Sequence, residues 1–491
     1  MVLGVYMNGS IFGREREVKI LQRLLESKKP EFLAVYGRRR VGKTYLVHEF
    51  FKDKGFYFSV TGSIHSTKKQ QLRKFYREMQ GKFSLPPDNE EPKDWDEALF
   101  LLKEMIGKVD PTQKIILFFD ELPWLASSRS GFLPALEYTW NQHLSKMNNV
   151  LLIVCGSAAN WIIKKVINNK GGLYGRLTEV MKLNPFTLAE TERFLLSHHV
   201  KPSRKQIVEL YMALGGIAKY LTLVRPGEST AQTINRLCFT AQGQLVSEFV
   251  NLYQSLFDGA EMHVQIVKEL ANKKNGISKT QLLRALQISP GGHAFSILEE
   301  LEESGFIAAS PEYEKKNKDK QLWLIDEYSY FYLTWMEEVK GSVLLGHDQN
   351  YWLKMQADPR WKAWSGYAFE SICFKHIAQI KKALGVAAVM THESQWNYRP
   401  KKKSEKGAQI DLIIDRKDDC INLCEIKFHH GPFAIDQRYA KELERKIAVF
   451  REQTQTTKTI FLTMITPFGL QKNQHSIELV NSEVNLDDFF V

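Results

Sequence analysis

One segment constrains the fold of this chain more than any other. The apolar run Phe32-Leu33-Ala34-Val35-Tyr36 leads directly into Gly37-Arg38-Arg39-Arg40-Val41-Gly42-Lys43-Thr44. A buried strand thus enters a complete G-x-x-x-x-G-K-[ST] loop, and a helix pattern from Tyr45 to Phe51 leaves it. The glycines let backbone N–H groups turn inward around a phosphate, and the helix N-terminus adds a favourable dipole. The spacing predicts that Lys43 reaches the β- and γ-phosphates while the Thr44 hydroxyl holds Mg²⁺. Gly37, Arg38, Arg39, Arg40, Val41, Gly42, Lys43 and Thr44 are therefore the expected nucleotide-binding loop.

The 491 residues, 44% hydrophobic and 25% charged, describe a soluble globular chain with room for about three domains. No apolar run approaches the ~20 residues that span a bilayer. The N-terminus lacks the charged head and apolar segment of a secretory signal, so a cytoplasmic protein with no membrane partner is expected. Cys155, Cys238, Cys373, Cys420 and Cys424 show neither paired nor zinc-like spacing, which predicts buried free thiols in a reducing compartment. An excess of 67 Lys+Arg over 56 Asp+Glu, a net charge of +11, favours an anionic partner, nucleic acid above all. A lysine-rich soluble surface is the plainer alternative.

The first 225 or so residues alternate strand-like and helix-like patterns, the signature of an α/β domain with a parallel sheet. Its strand candidates are Phe32–Tyr36, Phe56–Val60, Ile115–Asp120 and Val150–Cys155. A mostly helical stretch follows from Ala189 to about Leu256, then a compact helical module with one hairpin from His263 to about Trp335. Residues 358–491 open with a long helix, followed by a strand pair, another helix and a late strand at Thr459–Thr463. Turn-forming residues near Arg225-Pro226-Gly227 and between Gly341 and Asp358 mark the linkers. The expected domains are thus 10–225, 226–340 and 358–491.

A second nucleotide-site element lies where the first requires one. Ile115-Ile116-Leu117-Phe118-Phe119 is an apolar strand ending in Asp120-Glu121. The first acid suits Mg²⁺, through its water shell, and the second can polarise an attacking water. The next strand, Leu151 to Cys155, carries Ser157 just past its tip, a candidate to read the γ-phosphate. Arg176, in Gly175-Arg176-Leu177, is a candidate arginine finger; supplied by a neighbouring copy, it implies a homo-oligomer. An ordinary loop serine and a surface arginine are the alternatives. Tyr36 to Thr44 resembles the archaeal-type ATPases of the AAA+/STAND-like group. So do Phe12-Gly13-Arg14-Glu15, Asp120-Glu121-Leu122-Pro123 and Gly215-Gly216-Ile217-Ala218-Lys219-Tyr220-Leu221. That resemblance covers roughly residues 10 to 225 and implies ATP rather than GTP. This chain has Ala218 where the family usually has Pro.

The middle region reads as three helices and a hairpin, the order of a winged helix. A helix from His263 to Ala271 precedes Ile277-Ser278-Lys279-Thr280, which caps a second from Gln281 to Leu286. A third runs from about Gly292 to Ser304, and Gly305-Phe306-Ile307 and Gln321 to Asp326 form the hairpin. Glu299, Glu300, Glu302 and Glu303 on the third helix repel DNA phosphates, whereas Lys315, Lys316, Lys318 and Lys320 in the wing attract them. The balance favours a spacer or protein-contact module over direct base reading.

Near the C-terminus, Ile410 to Ile414 is a strand whose alternation puts Asp411 and Ile413 on one face. After a polar turn, Ile421 to Lys427 returns with Glu425 and Lys427 sharing a face. Upstream, Glu370 lies on a helical face with Tyr367, Phe374 and Ile377, where a carboxylate is costly unless it meets a site or partner. Two hard oxygen ligands, Asp411 and Glu425, suit Mg²⁺ or Mn²⁺, and Lys427 can steady charge on a phosphodiester. With Gly407-x-Gln409-Ile410-Asp411 ahead of the E-x-K, residues 360 to 465 resemble the PD-(D/E)xK nuclease superfamily. The same arrangement occurs in the C-terminal domain that often follows archaeal-type ATPases. Arg399-Pro400-Lys401-Lys402-Lys403 offers a phosphate-binding loop or a solvated charge run.

The combined expectation is a P-loop parallel-sheet ATPase domain with a helical lid, a winged-helix-like middle and an α/β restriction-endonuclease-like C-terminal domain. Its expected function is ATP-controlled DNA processing. Two alternatives stand beside it: a STAND-type ATP switch that assembles partners, and a DNA-binding regulator with a degenerate nuclease platform.

Overall fold

The computed structural model describes residues 11–85, 90–169, 171–273, 276–315, 320–347, 350–355, 358–400 and 406–491. They divide into two compact units, Met1–Pro185 and Phe186–Val491. Lys316, Lys318 and Lys401 to Lys403 lie outside the described residues. Among the described residues, no helix is long and apolar enough to cross a membrane. None of the five cysteines forms a disulfide; four are buried and Cys420 is partly exposed.

The first unit is built on β1 (Glu31–Tyr36), β2 (Phe56–Thr61), β3 (Ile115–Asp120), β4 (Val150–Gly156) and β5 (Glu179–Lys182). All pair in parallel, in the order β2-β3-β4-β1-β5. β3 and β4 are buried at every position, as strands covered on both faces must be. Their unbroken apolar runs carry that burial in sequence. One face packs against helices Lys68–Phe83, Trp95–Ile106 and Phe132–Gln142 through a chain of edge-on rings. Phe75 meets Trp95 at 5.5 Å, Trp95 meets Phe132 at 4.7 Å, and Phe132 meets Phe119 at 5.5 Å. Such contacts are each worth about 0.5–1.5 kcal/mol beyond the buried area, which fixes the sheet against these helices. The carboxyl ends of β1, β3 and β4 consequently lie side by side, where open α/β sheets gather their ligands.

In the second unit, Thr187 and Ser203 cap helices Leu188–Ser197 and Arg204–Leu214, each reciprocated by a side chain three residues on. Helices Glu261–Ala271, Lys279–Ala285 and Gly292–Glu303 accompany an antiparallel sheet of β6 (Ile277–Ser278), β7 (Ile307–Ser310) and β8 (Gln321–Leu324), ordered β6-β8-β7. Glu300 on the third helix bonds His263 at 2.9 Å, an internal partner. The turn after β7 is fastened to the following sheet. The Tyr313 N–H donates to the Gln395 carbonyl at 2.9 Å, and its ring packs with Trp396 and Phe450 in a buried cluster. Lys315, offered by sequence as a phosphate contact, pairs with Glu312.

The C-terminal sheet is mixed. β9 (Thr391–Tyr398), β10 (Ala408–Arg416) and β11 (Cys420–Ile426) run antiparallel, while β12 (Thr459–Ile465) joins β11 in parallel and β13 (Ser482–Val484) joins β12 in parallel. Helix Gln437–Thr454 packs its Phe450 onto Ile410, Ile413, Ile421 and Leu423. Two sequence readings are corrected here. A bulge lies between Ile410 and Ile413 in the pairing with β9, and both isoleucines enter that same cluster, so simple alternation does not place Asp411 with Ile413. The long helix ends at Lys375 and restarts at Ile377 beyond His376, so Ile377 does not continue the face of Glu370.

Candidate active site

The loop after β1 approaches the backbone so closely that only glycine fits at its start. Gly37 has φ +143°, and a Cβ there would stand 2.3 Å from the Leu183 carbonyl oxygen. Gly42, at φ +98°, is the N-cap of helix Lys43–Phe51. Arg14, only 5% exposed, braces the loop from outside by donating from Nη2 to the Val41 carbonyl at 3.2 Å. Inside the loop, Lys43 Nζ donates to the carbonyls of Gly37 and Arg38, both at 2.9 Å, and to Ser157 Oγ at 3.0 Å. Burial pushes its ammonium below the ordinary lysine range, with Cys155, Glu121 and Asp120 acting against that shift. Carbonyl oxygens are weak partners for a buried cation, so an arriving phosphate has a strong claim on this side chain.

β3 and β4 deliver the remaining groups. The Thr44 hydroxyl donates to Asp120 Oδ2 at 2.8 Å. Asp120 is 2% exposed, and its Oδ1 is buried without a hydrogen bond of regular geometry. Thr44 and Asp120 thus present hard oxygens, one with unused acceptor capacity, a set that fits Mg²⁺. Glu121 follows in left-handed backbone at φ 47°, an uncommon state for a non-glycine residue. Ser157 holds both of its carboxylate oxygens, donating from Oγ at 2.6 Å and from its N–H at 3.1 Å. Lys43, Ser157 and Glu121 are therefore one continuous network. Arg176 is exposed. Sequence reasoning missed Trp124, over whose ring the Arg39 guanidinium lies at 5.8 Å. Its place three residues after Glu121 was the available signal.

Residues 11–224 match the family described as an ATPase domain predominantly from Archaea. This chain carries an archaeal-type ATPase domain. The uncharacterized protein MJECL04 of Methanocaldococcus jannaschii is 30% identical over 215 residues, which span 43% of this chain and 43% of that relative. Among solved structures, the Walker-type ATPase PABY2304 of Pyrococcus abyssi is similar at 21% identity and a TM-score of 0.48, covering 67% of this chain and 97% of that one. The ORC2 protein of Aeropyrum pernix is similar at 13% identity and a TM-score of 0.43, covering 70% and 96%. The match to the archaeal family and the loop geometry identify the ATPase domain.

Beyond the ATPase domain, β10, β11 and helix Gln437–Thr454 bring a second set of charges together. Asp411 Oδ2 accepts from the Ile426 N–H at 3.0 Å and lies 3.5 Å from Lys427 Nζ. Glu425, 2% exposed, accepts from Lys446 Nζ at 2.7 and 2.8 Å, from Tyr439 at 3.2 Å and from Lys427 at 3.4 Å. Burial and the neighbouring Asp411 push the Glu425 carboxyl up, while the two lysines oppose the shift. Although burial works against its charge, Lys427 is held above the ordinary lysine range by Asp411 and Glu425, with a smaller contribution from Glu370. The structure therefore brings together Asp411, Glu425 and Lys427, with Glu370 within electrostatic reach of Lys427. Sequence reasoning missed Tyr439 and Lys446, two turns apart on one helical face. The set does not fit a divalent cation in this conformation. Both Glu425 oxygens and Asp411 Oδ2 already accept hydrogen bonds. Among the described residues, no group of three His, Cys, Asp or Glu side chains could hold a metal.

Proposed function

We propose that this chain is an ATP-controlled DNA-processing enzyme whose ATPase domain governs a nuclease-like C-terminal domain. The observation that carries the ATPase half is the single network of Lys43, Ser157 and Glu121 beside the Thr44–Asp120 pair. In this reading Lys43 leaves the Gly37 and Arg38 carbonyls for the β- and γ-phosphates, and the loop N–H groups surround them. Ser157 turns to the γ-phosphate, which frees Glu121 to orient the attacking water. Thr44 and Asp120 would hold Mg²⁺, which when bound offsets the negative charge of the phosphates. Arg176, exposed on its own chain, is the group a neighbouring copy would contribute in a homo-oligomer.

The nuclease-like half is supported by the convergence of Asp411, Glu425 and Lys427, with Glu370 nearby, and by the net charge of +11. One observation favours a second reading. Glu425 is neutralised by Lys446, as in a platform that binds without cutting. That would make the chain a STAND-type ATP switch or a DNA-binding regulator. Cleavage of circular single- and double-stranded DNA and of RNA, with Mg²⁺ or Mn²⁺ and with or without ATP, separates the readings. The first predicts cutting that the Asp411→Ala/Glu425→Ala variant loses. No cutting under any condition rejects it in favour of the switch or regulator.

A further inference from the structure

In the second unit, Ser203, Lys205, Gln206, Glu209, Trp361 and His430 line a pocket of about 530 Å³. Small-molecule sites occupy about 300–1,000 Å³. The first four come from the N-cap and opening turns of helix Arg204–Leu214, Trp361 from the start of helix Pro359–Lys375, and His430 from the turn after β11. The exposed His430 imidazole lies flat on the buried Trp361 indole, with ring centres 4.9 Å apart and planes 20° from parallel. Trp361 packs in turn on Phe428 at 5.7 Å and Trp364 at 6.2 Å, and a bond between His429 Nδ1 and the Gly431 carbonyl at 2.9 Å closes the turn that carries His430. The stack is therefore a fixed aromatic shelf. The polar groups beside it are unengaged. Glu209 is partly buried, yet among the described residues its carboxylate accepts no hydrogen bond and joins no ion pair, although Lys205 stands one turn before it. Burial pushes its carboxyl up, with Lys205 opposing. Gln206 gives its Oε1 to the Ser203 N–H at 2.9 Å, which leaves its Nε2 as a donor. A partly desolvated carboxylate without a partner is a cost that a donating ligand removes.

We propose that this pocket takes an unpaired guanine base, stacked on the His430 shelf with its N1–H and N2–H groups on the Glu209 carboxylate and its O6 on Lys205. Every base has a flat face for an aromatic shelf, so stacking alone is indifferent to sequence. The edge decides. Guanine carries two adjacent N–H donors on its pairing edge, which suit the two oxygens of one carboxylate, and beside them a carbonyl oxygen that accepts from an ammonium. Lys205 and Glu209 are four residues apart on one helix, with Cβ atoms about 5–6 Å from each other, so a donor and a two-pronged acceptor stand side by side. Adenine and cytosine bring one amino group to such a carboxylate and leave its second oxygen without a donor. Thymine and uracil bring one N–H flanked by carbonyls, which the carboxylate repels. Because the pairing edge is the one read, the base comes from a single strand or from a free nucleotide, not from an intact duplex. The pocket shares no residue with the nucleotide loop or with the charged cluster of β10 and β11, so the proposal holds whether or not the chain cuts DNA.

The test is calorimetric titration of the full-length chain with guanosine, adenosine and cytidine, which lack the phosphates that the nucleotide loop grips. Alongside it, fluorescence anisotropy follows short labelled oligo-dT strands carrying one central G, A or C. Guanosine binds about tenfold tighter than adenosine or cytidine, and the nearly isosteric Glu209→Gln removes that margin. His430→Ala, a change on an exposed turn, weakens guanosine by about tenfold. A guanine margin that appears in the strands too, and that Glu209→Gln removes there, supports the site and assigns the base to nucleic acid. A margin confined to guanosine supports the site, assigns the base to a free nucleotide and counts against the DNA-processing reading. Guanosine that does not bind, equal affinity for the three nucleosides, a margin for adenosine or cytidine, or a guanosine margin that survives in Glu209→Gln overturns the proposal.

Discussion

Asp120 is 2% exposed, and burial pushes its carboxyl above the usual carboxylate range; the Thr44 hydroxyl opposes the shift and Glu121 adds to it. In an unfolded chain the same group ionises near pH 3.9. The folded state therefore binds more protons between the two values, and this contribution to stability is lost as pH rises through the folded value. At neutral pH the ligand-free protein holds a buried carboxylate at a cost, which a bound cation offsets. Asp120→Asn keeps an acceptor for Thr44 and removes the charge. Thermal melts should show this variant melting higher than wild type without ligand near pH 7, with the gap closing on acidification. Mg²⁺ with ATP should stabilise it less than it stabilises wild type. A variant that melts lower at neutral pH contradicts the account. At this scale the sequence was highly informative, because loop spacing dictates where Lys43, Thr44 and the acid pair must stand. Lys446 was hidden because nothing in a helix sequence tells which lysine will meet a carboxylate from another element.

At the scale of elements, His376 joins two helices of the second unit. Its Nδ1–H donates to the Ile372 carbonyl at 2.8 Å, and its Nε2 accepts from the Leu188 N–H at 3.0 Å, at the start of helix Leu188–Ser197. Only the neutral ring can accept there. Burial lowers its pKa to about 4, with the Ile372 bond and Glu327 favouring the charged form and Lys375 opposing it. The depressed value means the stabilisation is fully present above the unfolded value of about 6.5 and is lost as pH falls toward 4. The full swing is about 3 kcal/mol. Denaturant titrations of the second unit's transition between pH 7 and 4 should show this loss, and His376→Gln should flatten it. An unchanged slope in the variant would reject the assignment. Buried strands such as β3 and β4 were legible as apolar runs. β5 was not, since only Met181 of its four residues is buried, and β9 was obscured by polar residues at an edge. The bulge in β10 escaped because it depends on a partner strand, not on local pattern.

At the scale of the whole molecule, composition pointed to an anionic partner through the net charge of +11 without saying where it would bind. The described lysines give part of an answer. Lys315 is engaged with Glu312, and Tyr313 is buried beside Trp396 and Phe450, so residues 311–315 serve attachment within the second unit. A cationic pocket lined by Arg399, Arg445 and Lys446 beside Asp411, by contrast, faces the carboxylates. The proposed function couples the ATPase domain to a nucleic-acid site elsewhere in the chain, and linkage then requires that ATP and nucleic acid alter each other's affinity. ATP affinity of the full-length chain, measured with and without duplex DNA alongside ATP turnover, tests this most directly. DNA should change ATP affinity about fivefold or more, and Glu121→Ala should lower turnover by about a hundredfold while ATP still binds. ATP affinity indifferent to DNA, or turnover undiminished in Glu121→Ala, would contradict the proposed function.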